Sequence, residues 1–286
     1  MKLINQSYEI CKTHGYTLQD VYKDIERAAR VSYKSEDKIT EDSAEKMVQR
    51  LISMKHYSSL EFGTIYLKIK TTTCIKMIAN PEGCFAKPWV YYTTVSDIEN
   101  EGTTYYYITT NYRFIIENKL EKLLQYMCAP TKHHQKRTTV KFITNRAVTH
   151  ELVRHRSMSF MQESQRYVAY DKGKFGKGLT FINSVWEQSE DEKTLVKRTL
   201  SQIEDTYMKL RSLGFKPQQA RTVLPNATKT ELYMCGFDKD WEHFFDLRDK
   251  THVDPQMYNL AHPLHEEFNK TKHEKIFEQE RETENG

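Results

Sequence analysis

Glu151-Leu152-Val153-Arg154-His155-Arg156-Ser157-Met158-Ser159-Phe160-Met161-Gln162-Glu163-Ser164-Gln165-Arg166-Tyr167 joins the end of a helical pattern to a loop in which polar groups alternate with apolar ones. A short strand over about 140–144 feeds a predicted helix over about 146–156, and a loop follows to about 183. On a helix, residues two apart point about 200° away from each other. Arg154 and Arg156 therefore suit two ligands, or two parts of a large one. The loop can fold back over the same space, where Ser157, Ser159, Ser164 and Arg166 supply the hydroxyls and guanidinium fork that bind phosphate oxygens. An isolated Arg-His-Arg reads most simply as a solvated basic face. Here Phe160, Met161, Tyr167, Val168 and Tyr170 interleave with the polar groups, so the loop is expected to pack down. Partly buried arginines then need anionic partners, because an unpaired buried charge costs several kcal/mol.

Outward from this stretch, the pattern Leu18, Val21, Tyr22, Ile25, Ala28, Ala29 predicts a helix over about 17–29, and Ala44, Met47, Val48, Leu51, Ile52 predict one over about 41–54. His56 to Phe62 reads as a turn before a strand over 64–70. Two aromatic, β-branched runs at 89–95 and 104–109 read as a hairpin with a longer loop. Further helices are expected over about 114–127, 191–213 (stopped by Gly214), 218–223, 228–237, 241–248 and 255–268. The fold class that follows is α+β, a mostly antiparallel sheet packed with several helices. Residues 1–268 read as a single catalytic domain with an insertion at about 73–137, and 269–286 as a polar, flexible tail.

Composition narrows the function. The chain has 286 residues, 38% of them apolar and 29% charged, with a net charge of +4. That balance fits a globular protein and is too weakly basic to indicate nucleic acid. No apolar run approaches the roughly 18–20 residues of a membrane span. Met1-Lys2-Leu3-Ile4-Asn5-Gln6 leads straight into polar sequence, so no signal peptide is expected and a cytoplasmic location is. Five widely spaced cysteines without a C-x-x-C argue against a disulfide framework or zinc site. His262 with His265, and His133 with His134, lack companions at ligand spacing, so no metal is expected. The local charge says more: Arg146, Arg154, Arg156 and Arg166 share their segment with only Glu151 and Glu163 as acids.

Arg154-His155-Arg156, seven residues, then Ser164 resembles the R-H-R-x7-S signature of flavin-dependent thymidylate synthases. Ser159 and Arg166 fall at further Ser and Arg positions of that family. Ala29-Arg30-Val31-Ser32 resembles its early A-R-V-S. His56, Ser58 and Glu61 match its His, Thr/Ser and Glu before the first strand. Ala220-Arg221-Thr222-Val223-Leu224-Pro225 resembles its A-R-x-x-L-P, and His243 to Arg248 its segment ending in L-R. The resemblance covers roughly residues 20–70 and 140–268. There are departures: Met161 and Phe237 stand where Asn is frequent, Lys239 where Arg is, Glu151 where Gln is and Gln162 where some members have Glu.

The resemblance implies a thymidylate synthase-complementing-protein-like fold and a methyltransferase that converts dUMP to dTMP. FAD would be the cofactor, with NADPH and methylenetetrahydrofolate as co-substrates. FAD would be held by Ser58, Arg154, His155, Arg156, Gln162 and His243. His56 would lie near the flavin, a structural role being the equal alternative. The dUMP site would comprise Glu151, Arg154, Gln162, Glu163, Ser164, Gln165, Arg166, Arg221 and Arg248, with Arg221 otherwise a helix-end cation. Arg248 is the catalytic candidate: a cation facing the pyrimidine lowers the pKa of N3 by roughly 1–3 units and makes C5 more nucleophilic. The one-cysteine mechanism needs Pro-Cys-His, whereas Cys128 precedes Ala129-Pro130 and Cys235 lies in Met234-Cys235-Gly236. A homotetramer with sites between subunits is implied, without membrane or nucleic-acid partners. Two other readings remain: a nucleotide-binding homologue that has lost flavin chemistry, suggested by Met161 and Phe237, and a single-strand nucleic-acid surface on the Tyr-rich hairpin.

Overall fold

A computed structural model gives the backbone of all residues except 88, 98–101, 172–177, 188 and 285–286, and side chains for the remainder apart from 97 and 271–284. The tip of the hairpin and part of the loop after the signature thus lie outside the described residues. The fold is α+β and mostly antiparallel. Strand β9 (Lys229–Phe237) is buried along its length after Lys229, whose neighbours are β6 (Arg137–Asn145) on one edge and β7 (Ser159–Gln162) on the other. Strand β2 (Ser7–Ile10) completes the four-stranded antiparallel sheet beyond β6.

The two faces of this sheet carry different helices. Leu232 and Met234 of β9 pack with Val140 and Phe142 of β6. They meet α6 (Arg146–Leu152), α9 (Asp238–Arg248) and α10 (Pro255–Glu284) through Val148, Leu152, Trp241, Phe244 and Leu260. Tyr233 and Cys235 point the other way, to Met161 of β7 and to Ala28 and Val31 of α1 (Leu18–Val31). Helix α1 starts on a capping box: Asp20 N–H donates to Thr17 Oγ1 at 3.2 Å, and Asp20 Oδ2 accepts from Thr17 N–H at 3.1 Å. Helix α10 continues to Glu284 through the stretch read as a polar tail. Asp249, after α9, accepts from His262 and His265 of α10 at 2.9 and 2.7 Å, which ties the two helices together.

Three expectations are corrected. The stretch expected as a helix over 228–237 is instead β9, from Lys229 to Phe237; with both faces covered, the strand shows no polar alternation from which its period could be read. The helix expected over 146–156 ends at Leu152, where N–H groups of Arg154 and His155 turn back to carbonyls three residues earlier. The helix expected over 114–127 is a short α5 (Tyr112–Glu117) and a separate 3-10 turn over 121–126, split where Lys119 has a φ of 55°. Strands β1 (Lys2–Ile4) and β8 (Thr180–Ile182), a parallel pair, were not foreseen.

The hairpin is found as expected: β4 (Tyr91–Asp97) pairs with β5 (Thr103–Asn111), and β5 pairs with β3 (Thr64–Lys70). The 73–137 segment therefore supplies two of the three strands of this sheet. It also gives Phe85, Tyr106, Ile108 and Phe114 to a core that Val21 and Ile25 of α1 and Val48 of α2 (Ser43–Ser53) share. Tyr106 and Tyr107 are buried in that sheet. Helix α7 (Glu190–Ser212) docks through Leu200 and Tyr207 on Tyr170, Leu179 and Phe181. No helix among the described residues is long and apolar enough to cross a membrane.

Gly63, at the entry to β3, is where α1 comes closest. A Cβ there would lie 2.6 Å from Ile25 Cδ1 and 2.7 Å from Val21 Cγ1. Val21 is β-branched and locked on a helix. Gly63→Ala is expected to cost about 1–3 kcal/mol by overpacking, read as a lower urea midpoint with unchanged far-UV circular dichroism.

Candidate functional site

The signature residues follow from the path of β7. Because successive side chains alternate, Ser159 and Met161 face α1, and Phe160 and Gln162 face α6 and α9. Just before β7, the Arg-His-Arg turn packs its middle residue inward: His155 is buried, Arg154 and Arg156 are exposed. His155 Nδ1 lies 2.9 Å from the Leu152 carbonyl oxygen, which can only accept, so Nδ1 carries the proton. Burial pushes the imidazole pKa below its usual 6.5, against the pull of that carbonyl; Arg248 and His243 push the same way. Neutral His155 therefore presents a lone pair at Nε2, and that atom is buried without a hydrogen-bond partner. Its ring lies edge-on to Phe244, with the exposed His243 ring 6.5 Å away.

Beside it, Arg248 Nη1 donates to Glu151 Oε2 at 2.6 Å and Nη2 to the Glu151 carbonyl at 3.3 Å. These bonds fix the guanidinium plane and leave Nε–H buried without an acceptor. Gln162 is held from the same side, donating to Thr149 and Thr230 hydroxyls at 3.1 and 3.2 Å. Glu151, His155, Gln162, His243 and Arg248 thus gather on the α6–α9 face.

On the α1 face, the signature loop meets the early Ala-Arg-Val-Ser. Ser164 N–H donates to the Ser32 carbonyl at 3.2 Å, and Ser32 Oγ donates to Met161 Sδ at 2.9 Å. A cavity of about 510 Å³ opens there, lined by Ser32, Tyr33, His56, Ser58, Ser164 and Tyr167 among others. Tyr33 and Tyr167 lie with ring centroids 4.9 Å apart, and the Arg166 guanidinium is 5.3 Å over Tyr167. Ser32 and Tyr33 were not among the expected site residues, although the early motif contains the first and ends beside the second.

Glu163 and Gln165 turn inward between these regions. Glu163 pairs with Lys229 at 3.1 Å and accepts from the Tyr170 hydroxyl at 3.3 Å. Glu231, two residues beyond Lys229, is surrounded by Lys34, Lys229 and, at 2.9 Å, Lys141. Reading 228–237 as a helix hid this network, because only a strand puts Lys229 and Glu231 on one face. Gln165 is buried with Nε2 unpartnered. Arg221 is exposed after α8 (Pro217–Ala220) and, among the described residues, has no hydrogen bond or ion pair to the other expected residues. In one chain, therefore, the expected site is divided between two faces of a sheet.

The profile of the family described as thymidylate synthase complementing protein matches residues 97–272. The chain belongs to that family. A flavin-dependent thymidylate synthase of Corynebacterium diphtheriae is 31% identical over 132 residues, 41% of this chain and 50% of the relative. A probable flavin-dependent thymidylate synthase of Paramecium bursaria Chlorella virus 1 is 28% identical over 167 residues, 54% of this chain and 77% of the relative. The chain spans about half the length of the bacterial relatives it matches. Among solved structures, a UMP/dUMP methylase, PolB from Streptomyces cacaoi, bound with 5-Br dUMP, aligns with a TM-score of 0.43 and 17% identity, covering 94% of this chain and 93% of that one.

The lysine cluster makes a pH-dependent contribution to stability. Burial would raise the Glu231 carboxyl, but Lys229 and Lys34 outweigh it and hold the pKa at about 2, below the usual 4.5. A depressed carboxyl stabilises the fold above its unfolded pKa, and that contribution, on the order of 3 kcal/mol, is lost as pH falls from about 4.5 towards 2. Glu231→Gln is expected to lower stability at pH 7 and to flatten the acid limb of a stability–pH curve measured by urea unfolding.

Proposed function

We propose that this protein is a flavin-dependent thymidylate synthase, a methyltransferase that reductively methylates dUMP to dTMP with methylenetetrahydrofolate and NADPH, acting in the cytoplasm through a single catalytic domain with an insertion at about 73–137. The observation that carries the proposal is the docking of the signature loop on the early motif, Ser164 on Ser32, which makes His56, Ser58 and Ser164 walls of one cavity. Segments far apart in sequence meet where the resemblance expects ligands.

The residues fit FAD. Arg154 and Arg156 are exposed guanidinium groups with no carboxylate partner among the described residues, suited to phosphates. His155, buried between Arg154 and Arg156 and bonded to the Leu152 carbonyl, holds the turn that presents both guanidinium groups to the cofactor. Ser58, Gln162, His243 and His56 complete the cofactor set. When bound, FAD supplies the hydride relay from NADPH.

For dUMP, Arg166 and Ser164 hold the phosphate, with Arg221 and Arg154 adding positive charge; Gln162, Glu163 and Gln165 shape the floor. Glu151 orients Arg248 so that its guanidinium faces the pyrimidine. A fixed cation there favours loss of the N3 proton, which raises electron density at C5 without a protein nucleophile. Glu151 offsets part of that charge, so the fixed orientation of the guanidinium carries the effect.

A homotetramer with sites between subunits supports the same chemistry. The sheet separates the Arg-His-Arg turn from the cavity within a chain, and the turn of one subunit facing the cavity of another removes that separation. The alternative is a nucleotide-binding homologue without flavin chemistry. Met161 and Phe237, its support in sequence, are both buried, and Met161 accepts from Ser32.

The deciding measurement is anaerobic NADPH oxidation by FAD-loaded protein with and without dUMP, followed by a search for dTMP once methylenetetrahydrofolate is added. A yellow protein that forms dTMP is expected; a colourless protein that binds dUMP supports the alternative. Arg248→Lys should keep the fold and FAD but lose more than about tenfold in turnover, since a point charge replaces an oriented fork. Arg166→Ala should weaken dUMP by about ten- to a hundredfold, the worth of a charge-assisted hydrogen bond.

A further inference from the structure

A second cavity, of about 420 Å³, lies between the segment after β2, helix α1 and the start of β6, and no residue assigned above lines it. Its size falls in the range of small-molecule pockets. Four cations border it: Lys12, Arg27, Lys136 and Arg137. Arg137 is half-buried, and its hydrogen bonds all go to neutral acceptors: the Glu61 carbonyl at 2.9 Å and the Thr64 and Ser159 hydroxyls at 3.3 Å. Its Nε–H is buried without an acceptor. No carboxylate of the described residues pairs with Arg137, Lys12 or Lys136. Arg27 pairs with Asp24 at 2.9 Å and donates to the Lys12 carbonyl at 2.7 Å, yet its own Nε–H is also buried and unpartnered.

The acids bordering the cavity do not balance these charges. Asp24 accepts from Thr13 at 2.8 Å and contacts His14 at 2.7 Å, besides its pairing with Arg27. Asp238 and Glu267 are already engaged. A guanidinium withdrawn from water without a counter-ion is costly, and an anion in the cavity would offset the excess positive charge that Arg137, Lys12 and Lys136 leave on its border. Thr64, whose hydroxyl oxygen accepts from Arg137 and whose O–H remains a donor, borders the same cavity. The lining is also aromatic: exposed Tyr16 stands edge-on to Tyr66 at 5.9 Å, and Phe62 and Phe268 border the same cavity.

We propose that this cavity is a second ligand site, separate from the one built by the signature, which binds a phosphate monoester carrying a planar ring, of the mononucleotide class. The phosphate lies among Arg137, Arg27, Lys136 and Lys12, and the ring lies against Tyr16. Guanidinium forks with lysines and hydroxyls favour phosphate over a lone carboxylate.

Calorimetric titration of the full chain with AMP, adenosine and inorganic phosphate tests this. AMP is expected to bind, and adenosine at least about tenfold more weakly. Inorganic phosphate should compete with AMP. Arg137→Met should weaken AMP by more than about tenfold, and Arg166→Ala should leave it unchanged. Because Arg137 also braces Glu61 and Thr64, the double variant Lys12→Ala/Lys136→Ala, at exposed positions without pairing partners, is the second probe and should weaken AMP several-fold while leaving the thermal midpoint unaltered. Absence of AMP binding at millimolar concentration overturns the proposal. So does equal binding of adenosine, or loss of AMP binding in Arg166→Ala with no loss in the lysine double variant.

Discussion

The pairing of β7 with β9 is the constraint on which the site depends. Strand β9 is flanked by strands on both edges and by helices on both faces, so its register cannot slip by one residue without moving Tyr233 and Cys235 out of one core and Leu232 and Met234 out of the other. Four residues of β7 inherit that register. Ser159 faces Cys235 and Gln162 faces Leu232. The signature chain therefore leaves the sheet at Gln162 in a fixed direction, and Glu163 N–H still reaches the Glu231 carbonyl at 2.9 Å before Ser164 turns to Ser32.

That geometry explains why one short signature serves two faces. The turn before β7 belongs to α6 and α9, and the turn after it belongs to α1. Arg154 and Arg166 lie on the two sides of a strand of only four residues. A ligand contacting both within one chain would have to pass round the free edge of β7. Contact between subunits would remove that need, which is why the assembly and the chemistry stand together in the proposed function.

Much of this was legible in the residues. The periods of α1, α2 and α7 were readable because each buries one stripe, and the hairpin because aromatic and β-branched residues cluster in it. The end of α6 was misjudged because Val153 and Arg154 suit a helix; a side-chain bond from His155 to the Leu152 carbonyl, invisible in sequence, accompanies the stop. Strand β9 was misjudged because it is buried on both faces, and with it went Lys229 and Glu231. Strands β1 and β8 are three residues each and exist through mutual pairing, a non-local property. The candidate site residues were named from the signature and its companion motifs, whereas their division between two faces follows from tertiary packing alone.

The arginines separate into two populations by what answers their charge. Arg30 with Glu26, Arg113 with Glu61 and Glu117, and Arg211 with Asp171 are closed pairs that hold one element against another or brace a single helix. Arg154, Arg156 and Arg166 have no such partner among the described residues, and as exposed groups they lose little by it, since water solvates them. Arg248 and Arg137 are the informative intermediates. Each is withdrawn from solvent, each is oriented by hydrogen bonds at its Nη atoms, and each keeps one buried Nε–H without an acceptor. A fold can leave such a donor unanswered only at a cost of about 1–3 kcal/mol. Arg27 and Arg113 carry the same buried donor while paired with carboxylates, so an unanswered Nε–H by itself marks no ligand site. What sets Arg137 apart is that its side-chain hydrogen bonds reach only neutral acceptors, and what sets Arg248 apart is that Glu151 fixes its plane beside His155.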